Sequence, residues 1–213
     1  TSFLEDRSGN LWVGTYGGGV LVRKAGHERL VRHPRATGLP SNLVKALAED
    51  HEGFLWIATD GGGLVRLDRK TGTAAVHRHD PADSRSLSTD RVWSVFEDRS
   101  KVLWVGTYGG GLNRLGLGSK SFLHVRHDPR DPASLGHDIV WSFHEDADAT
   151  VWVGTDSAGL QRWDRRKNAF RAYRHDPRDP TSLAHDTVRV VYGDSAGELW
   201  VATHGGGLDR LDR

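Results

Sequence analysis

Residues 92–128 read VWSVFEDRSKVLWVGTYGGGLNRLGLGSKSFLHVRHD, and their hydrophobic period is two rather than the helical value of about 3.6. VWSVFED alternates β-branched and aromatic residues and reads as a strand. RSKV is a tight turn, LWVGT a second strand, and YGGG a turn of residues that accept positive φ. GLNRLG is a third strand and SFLHVRHD a fourth. Pro129 and Pro132 then stop pairing, and the loop HDPRDPASLGHD leads on to the next unit.

Working outward, the same unit recurs along the chain. NLWVGTYGGGV surrounds Trp12, FLWIATDGGGL Trp56, VLWVGTYGGGL Trp104, TVWVGTDSAGL Trp152 and ELWVATHGGGL Trp200, at spacings of 44, 48, 48 and 48. Six residues before each Trp stands an Asp: Asp6, Asp50, Asp98, Asp146 and Asp194. Glu precedes that Asp in four copies, and Gly193 replaces it in the fifth. Four short antiparallel strands per unit specify an all-β fold, a β-propeller of four-stranded blades. The units span 1–43, 44–91, 92–139, 140–187 and 188–213, the last ending after its third strand. Thr1, Lys45, Trp93, Trp141 and Arg189 align as the second residue of the first strand. Blades pack face to face, so the expectation is a partial ring of a larger propeller, the alternative being a closed five-bladed ring.

Composition narrows the possibilities. The 213 residues carry 29 Lys and Arg against 28 Asp and Glu, a net charge of +1, so no broad field favours nucleic acid or anionic lipid. No apolar run reaches the ~18 residues of a membrane span, so no direct membrane insertion is expected. There are no cysteines, which excludes disulfides, thiolate zinc sites and a Cys nucleophile. The chain also lacks Met and a signal-peptide pattern, and is read as a piece of something longer.

The phrase V-x-x-x-x-E-D-x-x-G-x-L-W-[VI]-[GA]-T-x-x-G-G-L-x-R-L runs from Val44 to Leu67, Val92 to Leu115, Val140 to Trp163 and Val188 to Leu211. It is preceded by L-x-x-[ND]-x-V at Leu39/Asn42/Val44, Leu87/Asp90/Val92, Leu135/Asp138/Val140 and Leu183/Asp186/Val188. Together these resemble the two-component regulator propeller repeat. Lys101 and Ala149 depart from it at the turn Gly, and Ser157-Ala158 break the triple glycine. The resemblance implies the extracytoplasmic sensor region of a membrane-bound histidine kinase, hybrid kinase or diguanylate cyclase. Such a segment is periplasmic (the alternative is cytoplasmic), is not an enzyme and needs no cofactor. It binds a small molecule or an oligosaccharide and signals through a separate domain and further blades of the parent chain. Two alternatives stay open: a metal-dependent lyase similar to the streptogramin lyases, for which His137 with His185 is the only suitable pair, and a protein-docking scaffold.

Each repeated residue also has an architectural reading. Asp and Gly of D-x-x-G suit a turn, Asp accepting amide hydrogen bonds and Gly supplying the left-handed conformation. One such pair per blade does not converge on a bond, as acid–base chemistry requires. The repeated Trp is read as blade-to-blade core rather than a sugar platform. His33, His79, His127 and His175 end the outermost strand and are read as loop-closing groups.

Two other sets vary on this constant frame, which is how scaffolds carry function in loops. The first precedes the inner strand: Ser41-Asn42, Thr89-Asp90, His137-Asp138 and His185-Asp186. The second joins strands two and three: Tyr16, Asp60, Tyr108, Asp156 and His204. With the first strand inside, both emerge on one face. The ligand-binding candidates are therefore Asn42, Asp90, His137, Asp138, His185, Asp186, Tyr16, Asp60, Tyr108, Asp156 and His204. Arg outnumbers Lys 23 to 6, a surplus suited to bidentate recognition of acidic sugars.

Overall fold

The computed structural model of the protein describes residues 2–33, 38–116 and 118–211. The alternating stretches form nineteen strands and, among the described residues, no α-helix. Blade one holds β1 (Ser2–Glu5), β2 (Leu11–Gly14), β3 (Val20–Arg23) and β4 (Val31–Arg32). Blade two holds β5 (Val44–Glu49), β6 (Leu55–Thr59), β7 (Gly63–Leu67) and β8 (Ala74–His77). Blade three holds β9 (Val92–Glu97), β10 (Leu103–Thr107), β11 (Leu112–Leu115) and β12 (Leu123–Val125). Blade four holds β13 (Val140–Glu145), β14 (Val151–Thr155), β15 (Leu160–Asp164) and β16 (Ala169–Tyr173). Blade five holds β17 (Val188–Gly193), β18 (Leu199–Thr203) and β19 (Gly207–Leu211). Each sheet is an antiparallel meander in chain order. Successive blades meet through their first strands, β1 to β5 to β9 to β13 to β17, so these lie innermost.

The hydrophobic cores lie between blades rather than within them. Trp12, Val20 and Val22 of blade one pack on Val44, Leu47 and Ile57 of blade two, and the arrangement recurs at the other three interfaces. A pleated strand points alternate residues at opposite neighbours, so each blade has one face for the blade before and one for the blade after. This is why the fourth strand is short and partly exposed, β12 covering less than the stretch that alternates in sequence.

The repeated Asp and Trp form one device. The indole Nε1–H of Trp12, Trp56, Trp104, Trp152 and Trp200 donates to Oδ2 of Asp6, Asp50, Asp98, Asp146 and Asp194, at 2.7, 2.8, 2.8, 2.5 and 2.9 Å. The other oxygen accepts turn amides, as Asp50 Oδ1 does from Glu52 and Phe54. Each carboxylate thus satisfies a buried indole donor and shapes the turn that delivers its strand. The preceding Glu clamps blades: Glu49, Glu97 and Glu145 accept the backbone N–H of Arg7, His51 and Arg99 in the blade before. Arg69 adds ion pairs to Asp6 and Glu49, and Arg165 to Asp98 and Glu145. Between blades four and five that clamp is missing, because Gly193 has no carboxylate and lies against the His144 ring.

The two outer faces of the array are bare. Phe3 is 73% exposed, whereas the equivalent Leu47, Val95 and Val191 are 8, 8 and 5% exposed. At the other end Leu208 is 62% exposed, against 0% for Val20, Leu64, Leu112 and Leu160. No strand contact comparable to those between neighbours joins blade five to blade one among the described residues. The five blades therefore lie in a ring around a common axis, with the outer faces of blades one and five bare among the described residues.

Candidate functional site

In blades two to five the first strand carries a β-bulge at its start. Val44 faces Thr59 and Ala46 faces Ala58, so Lys45 opposes no residue; Trp93, Trp141 and Arg189 are skipped in the same way. A bulge re-aims the extra side chain, and here it does so once per blade beside the axis. Thr1, the equivalent in blade one, lies outside the described residues.

The turn between strands two and three closes over the same end. Thr59 and Thr107 Oγ1 donate to the carbonyls of Gly63 and Gly111, at 2.8 and 2.7 Å. Gly61 and Gly63 then donate their N–H groups to the carbonyl of Asp90, on the loop that leads into the next blade, at 3.1 and 2.9 Å. Gly63, at φ 79°, leaves no room for a Cβ against the carbonyl of His77. Both variable loop sets therefore emerge together, with Tyr16, Asp60 and Tyr108 bridged to Leu43, Arg91 and Ile139.

The result is a continuous row of aromatic and cationic side chains. Lys45 Nζ lies 5.1 Å from the Tyr16 ring and 4.9 Å from Trp93. The Arg91 guanidinium lies 4.0 Å from Tyr108, whose ring is 4.4 Å from Trp93. Trp93 meets Trp141 at 4.2 Å, and Arg189 lies 3.4 Å over Trp141. Asp60 anchors the row, with Arg91 Nε at 2.9 Å and Lys45 Nζ at 3.6 Å. Burial alone would raise the Asp60 pKa, but the hydrogen bond and charge of Arg91 and the charge of Lys45 hold it below the ordinary 3.8. Trp141 Nε1 donates to Asp156 Oδ1 at 3.3 Å.

The sequence-based candidates divide between this row and the frame beneath it. Tyr16, Asp60, Tyr108 and Asp156 join the row. His204 and His185 meet ring to ring at 6.3 Å in blade five. Asp90, Asp138 and Asp186 close loops: their Oδ1 atoms accept the N–H of His79, His127 and His175 at 2.7, 2.8 and 2.7 Å. Those histidines bond the carbonyls of Leu87, Leu135 and Leu183 through Nδ1. Asn42 offers its carbonyl to Gly17 and Gly19 at 3.0 and 3.2 Å. His137 and His185 each accept a turn amide on Nδ1, from Ile139 at 3.1 Å and Thr187 at 2.9 Å. Among the described residues no group of three or more His, Asp or Glu is placed to hold a metal ion. Lys45, Arg91, Trp93, Trp141 and Arg189 escaped the sequence reading. The signal was present, since the second residue of the first strand changes from blade to blade as freely as the loop residues.

A constant frame that raises one side chain per blade beside the axis defines a repeat propeller with a row of changing residues at its centre. Residues 1–17, 38–61, 86–109 and 182–205 match the model of the two component regulator propeller family. These four stretches are similar to two component regulator propeller repeats. The unmatched unit is the one that carries Ala149 and Ser157-Ala158. No curated protein matches the chain significantly.

Among solved structures, the extracellular domain of a proposed hybrid two component system, BT3049 from B. thetaiotaomicron, is 24% identical with a TM-score of 0.79 over 99% of this chain. A second such domain, BT4673 from the same organism, is 23% identical with a TM-score of 0.75 over 99% of the chain. The chain spans only 28 and 29% of those two proteins. Virginiamycin B lyase from Staphylococcus aureus is 12% identical with a TM-score of 0.67, the match covering 99% of this chain and 68% of the lyase. At these identities the likeness is one of fold.

Proposed function

We propose that the segment is the ligand-binding sensor part of a two-component-type receptor, lies outside the cytoplasm and carries no catalytic role. Its ligand, a small molecule or an oligosaccharide, meets the axial row. The observation that carries this reading is the recurring bulge: it presents Lys45, Trp93, Trp141 and Arg189 side by side while the scaffold residues stay constant. Side chains on a rigid sheet, anchored by Asp60, lose little freedom on binding. Further blades of a parent chain complete the ring, and a separate domain carries the signal onward. The lyase alternative draws no support from the site, because His137 and His185 each have Nδ1 engaged by their own turn.

An oligosaccharide panel titrated against the intrinsic Trp fluorescence tests the reading. A binder should shift the emission, and Trp93→Ala with Trp141→Ala should weaken binding by about tenfold or more, since the two rings hold Lys45 and Arg189 in place and each such cation–π contact contributes roughly 0.5–1 kcal/mol or above. Binding that survives the double substitution unchanged would place the ligand elsewhere.

A further inference from the structure

Resting on the axial row as the ligand site, we infer that its ligand carries an anionic group, a carboxylate or sulfate on a sugar chain, received by Arg189. The first reason is geometric. A neutral sugar stacks its C–H face on an open aromatic ring, and in this row only Tyr16, 68% exposed, is largely open, the other three rings each having a cation against them. Arg189 lies 3.4 Å over Trp141, Arg91 4.0 Å over Tyr108, and Lys45 within 4.9 Å of Trp93. The second ring contact of Trp93 goes to Trp141 at 4.2 Å. Away from Tyr16, what the row turns outward is therefore the N–H edges of cations more than ring faces.

The second reason is charge. Asp60 serves two cations at once, Arg91 at 2.9 Å and Lys45 at 3.6 Å. Asp156 is engaged by Trp141 Nε1 and by the Ser157 hydroxyl, each at 3.3 Å. Among the described residues no hydrogen bond or ion pair engages Arg189; its one partner is the ring beneath it. A guanidinium stacked flat on an indole has its plane fixed and its donor edge free, which matches two oxygens of one anion. Stacking fixes that orientation before a ligand arrives, so little rotamer freedom remains to be lost. Neutral ligands would have to desolvate the same edge with weaker acceptors.

The test is a calorimetric and Trp-fluorescence titration with two acidic probes, a galacturonate trimer and a sulfated galacto-oligosaccharide. Each is paired with its neutral twin, the methyl ester or the desulfated chain. Inorganic sulfate alone is the third arm. At least one acidic probe should bind, its neutral twin about tenfold or more weaker, and added salt should weaken it further. Arg189→Gln should remove that preference, and Arg189→Lys should restore part of it, with thermal melting unchanged in both.

Equal binding of acidic and neutral twins, untouched by Arg189→Gln, overturns the anion inference and leaves the axial site standing. Binding of sulfate alone at the affinity of the sulfated chain overturns the sugar-chain part. If no probe alters the Trp signal, both the inference and the axial site fail.

Discussion

Asp98 shows how one side chain is shared between two tasks: Oδ1 holds the Val102 amide in the turn and Oδ2 holds the Trp104 indole in the core. Sequence reading assigned the turn role and the core role to separate residues, because a spacing of six says nothing about which oxygen meets which donor. Asp90, Asp138 and Asp186 show the converse, a candidate ligand group that also serves the frame. They sit in variable loops, yet their carboxylates are held by histidine amides, and no pattern in one sequence distinguishes an occupied carboxylate from a free one. His77 offers a pH test. It lies 5.6 Å from both Trp56 and Phe122, and burial, helped by the charge of Arg66, holds its pKa below the ordinary 6.5. The unfolded chain therefore takes up a proton more readily than the folded one. Stability from this group is complete above about pH 6.5 and is lost as pH falls through the folded value. In a pH series of thermal melts His77→Phe should flatten the decline below that point; parallel wild-type and variant curves would remove His77 as its source.

At the scale of the element, strand and turn positions were legible because period two and the Gly-rich turns repeat, while the bulges were not. Inserting one residue at Trp93 leaves the sequence alternation nearly intact, since Val92 and Ser94 still bracket it, but shifts the register against Gly106 and Thr107. The aligned changes Lys45, Trp93, Trp141 and Arg189 were visible without their geometry. Turn departures were easier to see, and the backbone keeps the glycine shape there. Lys101 has φ 62° and Ala149 φ 64°, where Gly9, Gly53 and Gly197 take 75°, 88° and 85°. Left-handed backbone costs an L-residue roughly 1–2 kcal/mol, partly offset by the entropy glycine loses. Lys101→Gly should therefore stabilise by about 0.5–1 kcal/mol, raising Tm by roughly 1–4 °C in calorimetry. A lower Tm would show that Lys101 makes a contribution the turn geometry does not reveal.

For the whole molecule, the array leaves Phe3 at one end and Tyr192 and Leu208 at the other in water, at positions that inner blades bury or half-bury. Apolar patches of this kind drive association. The isolated chain should bind an apolar dye and show concentration-dependent mass in light scattering. Phe3→Ser with Tyr192→Ser and Leu208→Ser should reduce both, whereas a dye-silent monomer of wild-type sequence would mean that these faces are covered in some other way. From the sequence a partial ring was the expectation and a closed five-bladed ring the alternative. Which residues the open ends leave bare required the register. The bulge has one more consequence. Because the side chain it lifts out belongs to neither blade interface, exchanging Lys45, Trp93, Trp141 or Arg189 alters what the molecule recognises while leaving its architecture alone, so related receptors can diverge in taste without renegotiating how they fold.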